Sequence, residues 1–182
     1  TTQYGKLTVF SDGTWSYTSN SVVAHGAAVQ LPDSFSYTLI DADGDISATS
    51  ATQLIQVTDT APSVGVSDND TVTEASLAAG SSPSLGALTQ TGSLAVTKAA
   101  DGIDTKLTLD NLPALKSGGH DLNYALSADG HVLTATANGS TVFTVTLTDP
   151  TTSAAGYSFN LVRPLDHSGV GADTIDLNFN FL

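Results

Sequence analysis

The residues best suited to chemistry are three aspartates at alternate positions, Asp41, Asp43 and Asp45. Carboxylate oxygens are the ligands that calcium prefers, and three of them in a tight turn can converge on one hard cation. Gly44 allows the backbone to turn sharply between them. The spacing is not that of an EF-hand loop, because the glycine comes one position too early and Thr52 stands where the bidentate glutamate belongs. We interpret the turn as a calcium site, and the alternative is a solvated acidic turn.

A second acidic group surrounds residues 58–62, which we interpret as a linker between two domains. Asp59 lies within this linker, and Asp68, Asp70 and Glu74 open the following segment. Carboxylates from a linker and from the next domain can hold one calcium ion between them. The arrangement is similar to the calcium-braced junctions of cadherins. The alternative is an exposed acidic linker without an ion.

Two weaker sets of candidate ligands occur later in the chain. Asp101 and Asp104 flank a glycine in a predicted loop, where a cation is one interpretation and a plain turn the other. Asp166, His167 and Asp173 lie in or beside one long loop. Since a hard cation prefers oxygen to imidazole, we expect His167 to brace that loop by hydrogen bonds.

Nothing in the sequence indicates catalysis. The histidines are scattered, and none is paired with a serine or aspartate in a nucleophile motif. They are His25, His120, His131 and His167. The absence of cysteine excludes disulfides, thiol catalysis and thiolate metal sites. The sequence therefore predicts that the protein is not an enzyme, and that the only cofactor is Ca²⁺.

Charge narrows the possible partners. The 182 residues include five Lys and Arg against 18 Asp and Glu, for a net charge of −13. Such a chain cannot neutralise a run of phosphates, which excludes nucleic acid, and an anionic membrane surface is disfavoured for the same reason. No apolar run approaches the ~20 residues of a membrane span. No cleavable signal peptide is recognisable, so we expect either that the sequence starts within a longer protein or that export uses another signal.

The elements that must position these acids are predicted to be strands. Apolar and polar residues alternate over 143–147, 157–161 and 175–181, which places one face of each strand on a core and the other in water. Asp129-Gly130, between 122–126 and 132–137, predicts a hairpin. No long amphipathic helix is indicated. The fold class is therefore all-β, in antiparallel sandwiches.

A weak internal repeat predicts the domain organisation. Its first copy consists of 7–9, 15–17 and 35–39, and its second copy of 143–147, 157–159 and 175–179. The repeat predicts that 1–57 is the C-terminal part of one β-sandwich and 58–62 a linker. It predicts 63–182 as a second sandwich that lacks its last strand. The first domain is then incomplete and lacks its opening strands, and the alternative is that it is a genuinely small domain.

Several longer motifs carry a family resemblance over nearly the whole chain. Gly5–Val9, Asp12–Tyr17 and Asp33–Asp45 resemble the C-terminal half of VCBS-type repeats. A further set resembles a sister repeat found in targets of type I secretion: Val72–Leu77, Leu115–Gly119, Tyr124–Gly130 and Arg163–His167. Both repeats occur in tandem in giant RTX adhesins of Gram-negative bacteria. The resemblance implies tandem Ig-like, cadherin-like sandwiches, secretion without a cleaved signal, and calcium-dependent rigidity.

The function implied is that of a structural extender in a secreted adhesin at the bacterial cell surface. Such a segment is a monomer that projects a distal binding module for attachment and biofilm formation. Its partners are the neighbouring repeats, with a host or biofilm glycan or peptide bound through other domains and no membrane insertion by the segment itself. The alternative is a calcium-dependent carbohydrate- or peptide-binding module of the same adhesin. Trp15 and Tyr17, which alternate with polar residues, are predicted to be core rather than a sugar-stacking platform.

Overall fold

The structure is a computed structural model that describes residues 2–26, 28–65, 69–169 and 173–182. In these ranges the regular elements are antiparallel strands and two short 3₁₀ turns, Glu74–Ser76 and Leu85–Leu88, which confirms the all-β prediction. The first seven strands are β1 (Gly5–Val9), β2 (Trp15–Ser19), β3 (Gln30–Tyr37), β4 (Ala51–Thr58), β5 (Ser63–Gly65), β6 (Thr89–Ser93) and β7 (Ala95–Thr97). The others are β8 (Lys116–Ser117), β9 (His120–Asp121), β10 (Asn123–Leu126), β11 (Val132–Ala137), β12 (Ser140–Thr148) and β13 (Gly156–Leu161).

The chain divides into two compact units. Unit 1 comprises Thr1–Ala61 and Ala99–Asp101, and unit 2 comprises Pro62–Lys98 and Gly102–Leu182. Within the described ranges, no helix is long and apolar enough to cross a membrane.

Unit 2 is built on a five-stranded antiparallel sheet with the strand order β10-β11-β12-β13-β6. The predicted hairpin at Asp129-Gly130 is confirmed, because β10 pairs with β11 and Leu126 faces Leu133. Alternation along β12 sends Phe143, Val145 and Leu147 into one core, and alternation along β13 sends Phe159 and Leu161 into the same core. The buried members of that core are Leu77, Leu88, Leu94, Leu107, Leu133, Ala135, Ala137, Val142, Phe143, Val145, Leu147, Ala155, Phe159, Leu161 and Leu165.

The segment 175–181 follows the predicted alternation but forms no long ladder. Ile175, Leu177, Phe179 and Phe181 pack against the core of unit 2, as the periodicity requires. Pairing is confined to its C-terminal end, where Phe181 forms an isolated antiparallel bridge with Leu107. Periodicity selects the buried face of a segment, whereas a ladder also needs a neighbouring backbone, and here that neighbour is present at one end only.

Unit 1 consists of two antiparallel hairpins, β1–β2 and β3–β4, each forming a sheet of two strands. The hairpins meet through the rings of Trp15 and Phe35, whose centroids lie 5.3 Å apart. Only Val57 and Ala99 are buried apolar residues in the described part of this unit. Trp15 is 43% exposed, so the prediction that it is a core residue is wrong, while Tyr17 is half-buried. Two short hairpins have too little apolar surface to enclose an indole ring.

Candidate metal centre

The aspartate triad lies on a tight turn in the connection between β3 and β4. Ile40 and Ile46 form an antiparallel bridge that brings the two ends of the turn together. Oδ1 of Asp41 accepts hydrogen bonds from the backbone N–H groups of Gly44, at 3.1 Å, and Asp45, at 2.9 Å. The N–H of Asp41 donates to the carbonyl of Asp45 at 3.1 Å. Asp41 therefore organises the turn, and Gly44 supplies a positive φ of 99° at its tip.

The three carboxylates converge. One oxygen from each of Asp41, Asp43 and Asp45 lies within 4.8 Å of the other two, and all three residues are exposed. A hydrogen bond with the side chain of Asp43, together with the amides of Asp45 and Gly44, lowers the pKa of Asp41. Once no proton is shared between them, three carboxylates this close repel one another, and a hard cation removes that repulsion while taking the oxygens as ligands. The geometry is that of an open oxygen site at the surface.

Asp59 and Asp101 both line a small cavity in unit 1. Oδ1 of Asp59 accepts from the N–H of Thr60 at 2.8 Å and lies 3.7 Å from Nδ1 of His25. The imidazole, with a side chain only 7% exposed, forms part of the cavity wall together with Asp101. The fold thus brings together two candidate ligands that the sequence had placed in different groups.

Asp70 and Glu74 make hydrogen bonds within unit 2. Oδ2 of Asp70 accepts from the hydroxyl of Tyr157 at 2.7 Å. Oε1 of Glu74 accepts from the N–H of Leu165 at 2.7 Å and lies 3.5 Å from Nε2 of His167. Asp68, the remaining candidate of this group, lies outside the described residues. Glu74 here anchors the chain that follows β13, and the ring of His167 lies beside the same carboxylate.

Asp104 is paired with two basic side chains of unit 2. Its Oδ1 lies 2.7 Å from Nε2 of His131, and its Oδ2 lies 3.2 Å from Nζ of Lys106. The hydrogen bond with His131, followed by the one with Lys106, lowers the pKa of Asp104. A carboxylate that already contacts a lysine ammonium group and a histidine ring is a weaker candidate for a metal ligand.

Among the described residues, the triad is the only group of three or more histidine and acidic side chains whose ligand atoms come within 4.8 Å of one another. Asp59, Asp70, Glu74, Asp101 and Asp104 are not part of such a group. The turn at 41–45 is therefore the strongest metal candidate of the described chain.

One anchor was missed by the sequence interpretation. Asp33 is only 6% exposed and accepts hydrogen bonds from the hydroxyl of Tyr17 at 2.7 Å and from the N–H of Tyr4 at 3.0 Å. Burial by itself raises the pKa of Asp33. Hydrogen bonds from the side chains of Thr2 and Tyr17 and from the amides of Tyr4 and Ser34 outweigh it and hold this pKa far below the usual aspartate range. The available signal was its position, since Asp33 occupies an inward site between Leu31 and Phe35.

Two of the motifs behind the family resemblance meet in unit 2. Both carboxylate oxygens of Asp166 accept backbone hydrogen bonds, from Gly118 at 2.8 Å and from Gly119 at 2.6 Å. The hydroxyl of Ser117 donates to the carbonyl of Pro164 at 2.6 Å. Because both glycines have positive φ, their N–H groups point together at one carboxylate. Asp166 thus serves as a loop anchor through both of its oxygens.

Comparison with known proteins gives no relative for this chain. No family model, no curated protein and no solved structure matches it.

Proposed function

We propose that this chain is a structural extender segment of a large secreted bacterial adhesin, stiffened by calcium at the turn 41–45. The observation that carries the proposal is the convergence of Asp41, Asp43 and Asp45 within 4.8 Å on the surface of an all-β unit. The presence of two compact β-units in one chain supports a tandem-domain segment.

The physical logic is linkage between folding and ion binding. Unit 1 has few buried apolar side chains, so its folded state gains little from hydrophobic burial. A cation that binds the folded turn and not the unfolded chain stabilises the fold by mass action, by about 2.7 kcal/mol at one hundred times the dissociation constant. Calcium outside the cell then favours the folded state there, while a chain of net charge −13 stays extended during export.

The test is thermal unfolding of the whole chain with calcium, with magnesium and with excess chelator. Fluorescence of Trp15, the only tryptophan, reports on unit 1, and far-ultraviolet circular dichroism reports on both units. We expect calcium to raise the melting temperature of unit 1, and magnesium to do so much less because it demands smaller, near-octahedral geometry.

Variants locate the ion. Asp43→Asn and Asp45→Asn are expected to abolish the calcium shift without unfolding unit 1. Asp12→Asn is a matched control, because Asp12 also accepts hydrogen bonds within an exposed turn, from Thr14, at 2.9 and 2.7 Å. A melting temperature that is the same in calcium and chelator would refute the calcium part of the proposal. A calcium-dependent rise in melting temperature that persists in both triad variants would indicate that the ion binds in the cavity beside Asp59 instead.

A second candidate function is supported by the aromatic side chains of unit 1. Trp15, Phe35 and Tyr37 form a series with centroid separations of 5.3 and 6.3 Å, and Trp15 and Tyr37 are 43% and 52% exposed. Exposed rings on the unit that carries the aspartate triad suit stacking against sugars, which is the carbohydrate-binding alternative. Titration of simple glycans against Trp15 fluorescence distinguishes the two functions, since an extender gives no saturable change and a Tyr37→Ala variant removes the response of a binding module.

A further inference from the structure

The loop between β12 and β13 holds the single Asp-Pro bond of the sequence, Asp149-Pro150. Asp149 has a φ of 47°, in the left-handed region. The other described non-glycine residues with positive φ are Asn111 and Asn138, and neither precedes a proline. A residue before proline is normally held in an extended conformation by the bulk of the ring. The bond is therefore flanked by a strained residue on its carbonyl side.

The carbonyl of this bond is polarised by two donors from one residue. The backbone N–H of Thr152 donates to the oxygen of Asp149 at 3.0 Å, and the hydroxyl of Thr152 donates to the same oxygen at 3.2 Å. That hydroxyl is held in place because it also accepts from the N–H of Ala154 at 3.1 Å. Donors aimed at a carbonyl oxygen stabilise the negative charge that develops there when a nucleophile attacks its carbon.

The proline side of the bond is anchored, while the carboxyl side is accessible. The carbonyl of Pro150 accepts a hydrogen bond of 2.9 Å from the N–H of Thr105, a residue that is 3% exposed. Asp149 is exposed, and its carboxyl carbon is three bonds from its own main-chain carbonyl carbon. Attack of that carboxyl on that carbon closes a five-membered ring, which makes the nucleophile intramolecular and its effective concentration high.

We propose that Asp149-Pro150 is a site of self-cleavage that the folded loop accelerates. In acidic solution a carboxyl oxygen of Asp149 attacks the Asp149 carbonyl carbon, and the Thr152 donors stabilise the resulting oxyanion. The bond from this carbon to the nitrogen of Pro150 breaks, and the proton of the carboxyl group goes to the prolyl nitrogen, which leaves as a secondary amine. The cyclic anhydride left on Asp149 is opened by water to give two carboxyl groups, so the net reaction is hydrolysis of one peptide bond.

The nick leaves the fold connected by hydrogen bonds. It produces chains of residues 1–149 and 150–182, and β13, on the second chain, remains paired with β12 and β6 on the first. We therefore expect a cleaved protein that runs as one species under native conditions and as two under denaturing conditions. This reaction does not depend on the adhesin proposal, and neither stands or falls with the other.

The experiment follows cleavage of the full chain by intact mass spectrometry in acidic buffer at about pH 4, the region in which carboxyl groups titrate. The same buffer with concentrated guanidinium chloride supplies the unfolded chain, and circular dichroism verifies that the first sample is folded. We expect the masses of residues 1–149 and 150–182 from the folded chain to appear at least about tenfold faster than from the unfolded chain. Removing a single oxyanion donor costs about 10²- to 10³-fold in enzymes, and this loop is more solvated.

Two variants give the mechanism separate support. Asp149→Asn introduces asparagine, which tolerates positive φ as aspartate does but has no carboxyl group, and we expect it to abolish cleavage. Thr152→Val keeps the backbone donor and the side-chain shape but removes the hydroxyl, and we expect a rate about tenfold lower, close to the unfolded rate. Equal rates in the folded and unfolded wild-type chain, or a Thr152→Val rate equal to wild type, would overturn the proposal.

Discussion

The hairpins β1–β2 of unit 1 and β12–β13 of unit 2 have the same local pairing in different surroundings. The equivalent cross-strand pairs are Leu7 with Tyr17 and Val145 with Phe159, then Val9 with Trp15 and Leu147 with Tyr157. In unit 2 the hairpin lies between β11 and β6, and Leu147 is 6% exposed. In unit 1 the hairpin is a sheet by itself, and Val9 is 62% exposed.

The difference shows that alternation fixes which face of a strand is apolar, but not whether that face is covered. A two-stranded hairpin is marginal alone and needs further strands or a packed layer to become stable. Unit 2 supplies them from its own strands. Unit 1 relies instead on a polar anchor, Asp33, and on contacts between partly exposed rings such as Trp15 and Phe35.

The largest contrast is expected from removing one ring of each unit. Phe143 is fully buried, and the centroid of its ring lies 5.3 Å from that of Phe159 and 6.0 Å from that of Phe179. Phe143→Ala leaves a cavity that neighbouring side chains cannot fill, and it should lower the free energy of unfolding of unit 2 by about 3–5 kcal/mol. Trp15→Ala, at a 43% exposed position, should cost unit 1 roughly half as much. Denaturant unfolding followed by circular dichroism measures both losses of unfolding free energy. Equal losses in the two units would contradict the contrast between them.

The next effect concerns the polar anchor of unit 1. Asp33→Asn replaces a carboxylate oxygen with an NH₂ group facing donors, so we expect unit 1 to melt at a lower temperature while unit 2 is unchanged. The pKa of Asp33 is depressed in the fold, so its stabilisation is complete above the unfolded pKa of about 3.9 and is lost as pH falls through the lower folded value. The difference between wild type and variant should therefore shrink in strong acid.

A matched variant tests the anchor more finely. Tyr17→Phe removes the hydroxyl that donates to Asp33 at 2.7 Å and leaves the other donors in place. It should lower the melting temperature of unit 1 by less than Asp33→Asn does. A Tyr17→Phe effect that equals or exceeds that of Asp33→Asn would mean that the tyrosine hydroxyl stabilises unit 1 through something other than the Asp33 carboxylate, and that this carboxylate is not the main anchor.

The smallest effect is expected from adding a methyl group at either of two glycines that lie beneath tyrosine rings. A Cβ added at Gly92 would lie 2.5 Å from the ring of Tyr157, and one at Gly5 would lie 2.5 Å from the ring of Tyr17 and 2.6 Å from the carbonyl of Thr18. Crowding costs about 1–3 kcal/mol, and alanine recovers about 0.5–1 kcal/mol of strand propensity. We expect net losses near 1 kcal/mol, larger at Gly5 because backbone cannot yield as a side chain can. Thermal unfolding of Gly5→Ala and Gly92→Ala measures the order, and the reverse order would show that unit 1 relaxes more easily than unit 2.

The strands β10 to β13 of unit 2 could be predicted from the sequence, because their signals are local. The alternation in 143–147 and the Asp129-Gly130 turn depend on residues adjacent in the chain, and the structure has both. The pairing of β6 with β13 joins residues far apart, such as Gln90 and Phe159, and no local pattern indicated it. The same limit applies to Glu74, whose partner Leu165 lies 91 residues away.

The sequence by itself determined the class of the fold, the faces of its strands and the Asp41–Asp45 turn, since each follows from spacing over a few residues. Only the tertiary structure decided how each carboxylate is used. Asp33 became a buried anchor and Asp104 the partner of His131 and Lys106. The physical reason is that the environment of a carboxylate is set by groups the chain brings to it from elsewhere, and their distances are not encoded in the residues beside it.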